Sequence, residues 1–190
     1  MNEILSGKLV RLAAFDPEEM GKAYSGWTRD SEYWRLMDIA AARLSSVKAA
    51  TRYFEKEASE PEAGVYAFSV RTMADDTLIG EMVLDVVNWG ARDAYVGLSI
   101  GDRANWGKGY GTEMMFLILR YAFMEVNLQR VSLAVFEYNP RAIRAYEKAG
   151  FRHEGRIRQF LHKEGRRWDM LLMSVLRAEW LEQCQEMLSV

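Results

Sequence analysis

Cysteine is nearly absent: Cys184 is the only one in 190 residues, so no internal disulfide can form and no thiolate spacing suited to zinc exists. That excludes a disulfide scaffold and a cysteine-built metal centre, and it predicts a reducing, cytoplasmic setting with no metal. Long apolar runs are lacking too. The first twelve residues carry Lys8 and Arg11 without an apolar core of signal-peptide length, and nothing approaches the roughly 18 apolar residues of a membrane span. A soluble protein with no membrane partner is expected. Charge of one sign is also scarce, at a net −2. From Arg130 onward 11 Lys and Arg face 8 Asp and Glu, an excess that suits a small polyanion but not a nucleic-acid duplex, whose binding demands a strongly basic face. Repeats, low-complexity stretches and linkers are missing. With 49% hydrophobic residues, residues 1–190 are read as a single domain with a full core.

The order of elements follows from spacing and caps. Lys8 to Ala13 reads as a strand. Asp16 before Pro17, with Glu19 three positions on, writes a helix start, and the helix runs to about Trp27. Ser45 and Ser46 offer caps for a second helix over 47–58. From Val65 the period changes to two: 65–71 and 77–87 form an antiparallel hairpin, and Ala94 to Ile100 supply a further strand. A long helix begins near Gly111, with Met114, Leu117, Ile118, Tyr121 and Ala122 on one face. Val131 to Phe136 is a strand, 139–149 a short helix, 157–162 and 168–176 a returning pair of strands, and 177–188 a closing helix. The order predicts a mixed α/β sheet flanked by helices, not a doubly wound fold.

Two segments carry chemistry. Asn105 to Thr112 read Asn-Trp-Gly-Lys-Gly-Tyr-Gly-Thr, three alternate glycines between a strand and a helix start. Such a loop lets bare amides and the positive end of a helix dipole meet an anion such as a pyrophosphate, or it is simply a tight turn. It is neither of two familiar phosphate motifs. A P-loop needs Ser or Thr after Gly-Lys, where Gly109 stands, and the dinucleotide fingerprint places its third glycine one residue later. The second segment runs from Glu137 to Phe151. Asn139 caps a helix whose first turn holds Pro140, and Gly150 closes it. Asn139 and Tyr146 are two turns apart and project to one side, either as ligand contacts or as a cap and a core aromatic.

Together these segments resemble the GCN5-related N-acetyltransferase (GNAT) superfamily. The glycine loop matches that family's acetyl-coenzyme A pyrophosphate site, and Asn139, Ala142, Tyr146, Gly150 and Phe151 match the motif on its following strand-helix unit. Lys8 to Leu12, Leu78-Ile79-Gly80 and the tail Glu164 to Met170 extend the likeness over most of the chain. The tail is similar to the branch holding ribosomal-protein N-terminal acetyltransferases (RimJ/RimL-like) and bacterial spermidine acetyltransferases.

The resemblance implies a central mixed, mostly antiparallel, twisted sheet and acetyl transfer from acetyl-CoA to a primary amine by direct attack in a ternary complex. The acceptor would be a protein N-terminus, a polyamine or another small amine. Leu98, Ser99 and Ile100 would pair with the pantetheine, and one free N–H there would polarise the thioester. The amides from Trp106 through Gly107, Lys108, Gly109, Tyr110 and Gly111, with Thr112 beyond, would cradle the diphosphate. Asn139 and Arg144 would complete the cofactor contacts, and Tyr146 would be the general acid. Relatives often carry a glutamate where Tyr95 stands here, which leaves Glu81, Asp85 or water as base, Glu81 being named first. Trp27, Tyr33, Trp34, Trp89 and Tyr95, with Asp30, Glu32 and Asp38, are candidates for an amine pocket. A homodimer is implied by the resemblance alone. The alternative is a non-catalytic acyl-CoA sensor or docking domain.

Overall fold

The computed structural model describes residues 3–188. Strands β1 (Val10–Ala13), β2 (Val65–Thr72), β3 (Leu78–Asn88), β4 (Asp93–Ile100), β5 (Arg130–Phe136), β6 (Arg152–Lys163) and β7 (Arg166–Leu176) form one sheet in the order β1-β2-β3-β4-β5-β7-β6. Every neighbouring pair is antiparallel except β4 and β5. The mixed, mostly antiparallel sheet expected from the sequence is the one found.

The helices are α1 (Pro17–Trp27), α2 (Ser31–Met37), α3 (Val47–Ser59), α4 (Tyr110–Met124), α5 (Pro140–Lys148) and α6 (Arg177–Leu188). Their starts are written in side chains. Asp16 accepts from the Glu19 N–H at 3.0 Å, Ser46 from Ala49 at 3.2 Å, and Asn139 from Ala142 at 3.2 Å, each satisfying a donor that the first helical turn leaves unpaired. Gly150, at φ 98°, ends the α5 segment in the left-handed region.

Two elements depart from the sequence reading. Helix α2 was not foreseen: seven residues are too short for an apolar repeat, and its one local signal is the Asp30 cap, which accepts from the Glu32 N–H at 3.0 Å. Strand β6 begins at Arg152, five residues before the expected start. Its outward face is polar and exposed almost throughout, so no alternation marks it, and register shifts against β7 interrupt the pattern further.

Side chains sort onto the two faces of the sheet by the two-residue period. Met82, Leu84, Val96, Val131, Leu133 and Val135 pack with Met114, Met115, Ile118, Leu119 and Phe123 of α4 in the main core. On the side of Glu81 and Ser99, α1 to α3 pack on one another through aromatic edges: Tyr24 lies edge-on to Tyr33, Trp34 and Phe54, and Phe15 to Phe54. Edge-to-face contacts of this kind set ring on ring without a charged group between them.

The N-terminal segment is fastened along α4. The Glu113 carboxylate accepts from the amides of Lys8, Leu9 and Val10 at 2.9, 2.6 and 2.7 Å. Arg120, two turns further along, donates to the carbonyls of Glu3, Ile4 and Ser6. The ties fix the first turn of α4 against β1. Glu113→Ala is expected to lower the unfolding free energy by about 1–3 kcal/mol, since three backbone donors lose a charged acceptor, as read from the urea midpoint.

Candidate active site

The parallel pair β4–β5 is joined at only three register positions, Asp93 with Arg130, Ala94 with Val131 and Tyr95 with Ser132. Past Tyr95 the strands separate, and a cavity of about 660 Å³ opens between Val96–Ile100 on one wall and Ala134–Phe136 on the other. The remaining backbone groups of β4 can be assigned from its register with β3. Gly80 faces Ile100, and the Gly101 N–H donates to the Ile79 carbonyl at 3.0 Å. In an antiparallel ladder this makes Ser99 and Glu81 a hydrogen-bonded pair and turns the N–H and C=O of Val96, Leu98 and Ile100 away from β3; the Val96 N–H is taken by the Tyr95–Ser132 bridge to β5, and the groups of Leu98 and Ile100 face the gap. The Ile100 carbonyl accordingly accepts from the Trp106 indole at 2.8 Å. Leu98 is left with a donor and an acceptor facing the cavity.

The glycine loop forms one end of the cavity. Gly107 and Gly109 have φ 76° and 89°, a region that costs a side-chain-bearing residue about 1–2 kcal/mol. Gly109 is the N-cap of α4, with no side chain supplying a cap, and the first intrahelical bond at this end runs from the Glu113 N–H to the Gly109 carbonyl at 3.1 Å. The amides of Tyr110, Gly111 and Thr112 are therefore free to serve an anion. Trp106 differs from the sequence expectation: its N–H donates to the Arg103 carbonyl at 2.9 Å, so the amide cradle spans Gly107 to Thr112. Lys108 is exposed and stands off the cavity wall, whereas its five neighbours Gly107, Gly109, Tyr110, Gly111 and Thr112 line it.

Helix α5 closes a second side. Asn139, Arg144 and Tyr146 all line the cavity, as their sequence spacing suggested. Asn139 spends its side-chain oxygen on capping α5, which leaves its amide nitrogen as the group available to a ligand. Burial pushes the Tyr146 hydroxyl up to about 12, so the phenol stays protonated at neutral pH. Arg141 was not foreseen. It lines the cavity and lies over the Trp106 ring at 3.8 Å, a stacked arrangement that holds a guanidinium near the glycine loop. Arg103 also lies near the same indole, at 5.6 Å from the ring centroid, and is anchored by Asp30 and Glu32, which explains two of the acids that the sequence offered as acceptor contacts.

Helix α2 and the residues after it roof the third side, with Tyr33, Leu36, Met37, Asp38 and Ile39 on the wall. The roof is tied to the β5–α5 connection, where Tyr138 donates to the Arg35 carbonyl at 2.5 Å, and to the β6–β7 hairpin, where Lys163 donates to the Asp38 carbonyl at 2.6 Å and Glu164 pairs with Arg35. Of the aromatic candidates, Tyr33 alone reaches the cavity. Trp34 is buried under Tyr24, Trp27 packs against the bare backbone of Gly101, and Trp89 and Tyr95 are exposed.

Glu81 sits behind the wall. Ser99, which does line the cavity, donates to its Oε1 at 3.5 Å, and Tyr33 donates to Ser99 Oγ at 3.2 Å. Desolvation raises the Glu81 carboxyl from 4.5 to about 7, the Ser99 hydrogen bond opposing it. Asp85 is exposed, opposite Tyr95. Among the described residues no group of three or more His, Cys, Asp or Glu is placed to hold a metal ion, and no helix is long and apolar enough to cross a membrane.

Comparison with known proteins gives the family: the model for the acetyltransferase (GNAT) domain fits residues 10–152. The chain belongs to the GNAT family. A probable N-acetyltransferase of Bacillus subtilis, YjcK, is 33% identical over 133 residues, 70% of this chain and 71% of that one. The spermidine N(1)-acetyltransferase of Vibrio cholerae is 30% identical over 112 residues, 59% of this chain and 64% of that protein. Among solved structures, spermidine N-acetyltransferase from Vibrio cholerae in complex with CoA and spermine superposes with a TM-score of 0.78 at 23% identity, covering 90% of this chain and 98% of the other. A GNAT-family acetyltransferase from Bacillus anthracis gives 0.76 at 20% identity, covering 92% and 98%. This GNAT protein is an acetyl-CoA-dependent acetyltransferase.

The raised carboxyl has a measurable signature. Folded Glu81 keeps its proton through a window in which the unfolded chain has released it, so its contribution to stability is fully present below about pH 4.5 and is lost as pH rises to about 7. Relative to Glu81→Gln, the wild-type unfolding free energy is therefore expected to fall across that window and to run parallel outside it, as followed by denaturant titrations at stepped pH.

Proposed function

We propose that this protein transfers the acetyl group of acetyl-CoA to a small-molecule primary amine, with polyamines the first class to try, by direct attack in a ternary complex. The observation that carries the reading is the cleft itself, lined by a helix start without a side-chain cap, by Tyr146 and Ser99, and by the Leu98 backbone that β4 turns away from β3. Gly107 to Thr112 would hold the diphosphate through main-chain amides, with Arg141 and Arg144 supplying positive charge beside it. Leu98 would offer its carbonyl and N–H to the pantetheine arm or the thioester oxygen. A donor fixed in this way stabilises developing negative charge without reorganising. Asn139 would hydrogen-bond the same arm.

Tyr146 is the proposed acid. With its hydroxyl at about 12 and a thiol near 8.5, full proton transfer to sulfur runs uphill. Its contribution is a hydrogen bond that strengthens as charge gathers on the departing sulfur, and transfer completes as the acylated nitrogen gives up its own proton. Glu81 is the proposed base, its raised carboxyl matched to accepting a proton near neutral pH. Glu57, which raises the Glu81 carboxyl further, and Asp38 on the cavity wall add negative charge on the acceptor side. That suits a ligand with more than one ammonium, and the spermidine-acetylating relative supports the same class. Cys184 plays no part, lying in α6 with its thiol pushed up by burial. A reducing, cytoplasmic setting fits a chain with this single cysteine.

Thiol release from acetyl-CoA on adding spermidine, spermine, simple alkylamines or a short peptide with a free N-terminus tests the proposal. Turnover with the polyamines above the peptide is expected. Tight acetyl-CoA binding with no turnover of any amine would point instead to a sensor. Tyr146→Phe is expected to lower kcat about 100-fold while leaving the calorimetric affinity for acetyl-CoA within a few-fold of wild type; equal losses in both would make Tyr146 a binding residue.

A further inference from the structure

The catalytic reading leaves Glu81 stranded. It lies on β3, outside the cavity lining, and reaches the acceptor side only through Ser99. An ammonium in the cavity cannot touch it.

Ser99 and Tyr33 bridge that distance. Tyr33 Oη lies 3.2 Å from Ser99 Oγ, which lies 3.5 Å from Glu81 Oε1. Both hydroxyls belong to buried residues, 2% and 1% exposed, and both residues line the cavity. The direction of the chain is set by chemistry. An ionised carboxylate only accepts, so Ser99 must donate to Glu81; Ser99 has one proton, so Tyr33 must donate to Ser99. Tyr33 is left with an oxygen lone pair and no proton to offer, the arrangement an ammonium donor requires. No other described hydrogen bond draws on the Tyr33 hydroxyl.

We propose that Tyr33 and Ser99 form a proton relay that deprotonates the acceptor by passing its proton to Glu81. The inference rests on Glu81 being the base. In the relay the ammonium gives a proton to Tyr33 Oη, the phenolic proton moves to Ser99 Oγ, and the Ser99 proton moves to Glu81 Oε1. The ammonium becomes a neutral amine, the carboxylate becomes a carboxylic acid, and both hydroxyls end as they began, each with one proton turned the other way. The freed lone pair then attacks the thioester carbon. The C–N bond forms as the C–S bond breaks, the sulfur takes its proton through Tyr146, the acylated nitrogen restores Tyr146, and Glu81 returns its proton to water.

The surroundings favour this route over direct contact. Around Glu81 stand Tyr24 of α1, Tyr33 of α2, and Tyr53 and Glu57 of α3. Asp38 and Arg43 act on the Tyr24 hydroxyl rather than on Glu81. From β2 the register neighbour is Ser69, whose hydroxyl is bound to the carbonyls of Ala13 and Ala14. Every one of these phenols stays protonated at neutral pH, and burial drives Tyr33 furthest upward. The hydroxyls therefore hand protons on without holding charge.

The test compares Tyr33→Phe, Ser99→Ala, Ser99→Thr and Glu81→Gln in pH profiles of kcat/KM for spermidine, alkylamines and the free-N-terminus peptide, with calorimetric acetyl-CoA affinity and melting temperature as controls. Tyr33→Phe and Ser99→Ala are expected to lose about 10- to 100-fold at neutral pH and to regain most of it near pH 10, where an alkylamine of pKa about 10.4 supplies its own neutral form. Ser99→Thr, which keeps the hydroxyl, is expected to restore the wild-type profile. If Tyr33→Phe and Ser99→Ala keep the wild-type acid limb while Glu81→Gln loses it, the relay is wrong and the base stands. A uniform loss at all pH with the limb unmoved would reduce Tyr33 to a packing residue and likewise overturn the relay. An unmoved limb in Glu81→Gln, or no turnover of any amine, removes the base and the relay together.

Discussion

The site exists because two parallel strands stop pairing after three residues. A sheet that continued to pair β4 with β5 would consume the Leu98 N–H and C=O in its ladder and fill the space where the cavity lies. Instead Gly97 and Ser99 remain bonded to β3 while Leu98 is left without a strand partner on the β5 side, and buried backbone groups that lack a partner are costly unless a ligand or water satisfies them. The strands are kept apart by what lies between their ends. The Trp106 indole takes the Ile100 carbonyl, and α5 is capped and seated across from it, beyond the end of β5. The parting of the strands is therefore built into the fold by contacts of the chain with itself.

Around that gap the protein divides its labour between main chain and side chains. On the proposed reading anion recognition falls to amides, because a helix that starts without a side-chain cap has donors to spare and needs only glycines to leave them uncovered. Proton handling, on the same reading, falls to side chains whose environments differ. Tyr146 and Tyr33 are buried and held neutral, and Glu81 is buried to the point where its proton is gained and lost near neutrality. Separating these two tasks lets the acceptor side vary while the nucleotide side keeps one geometry.

How much of this the sequence carried depends on how local each signal is. The helix caps at Asp16, Ser46 and Asn139, the glycine loop and the strand periods could be read directly, because each is set by a few adjacent residues. The relation between Asn139 and Tyr146 followed from helix geometry. Helix α2 is not legible because it is short and held by tertiary contacts; Tyr33 is among the pocket aromatics the sequence offers, but its bond to Ser99 spans 66 positions and no local pattern announces it. Arg141 differs from Arg144 only in what it stacks on, an indole 35 positions earlier that the local pattern does not announce. Glu81 was legible as a strand residue, but that it stands behind Ser99 and not in the open depends on register across β3 and β4. The Trp106 amide looked free until the turn beginning at Asp102 claimed it.

The ties between the roof and the last hairpin carry a consequence for how such a chain diversifies. Arg35 and the Asp38 carbonyl fasten the roof to Glu164, Lys163 and Tyr138, each more than a hundred positions away. Roof and hairpin are therefore coupled through a few polar contacts. A change of length or charge around Glu164 and Gly165 would act on the roof without altering any wall residue, so related sequences would be free to differ in what the cavity admits through drift in a surface turn while the glycine loop stays as it is.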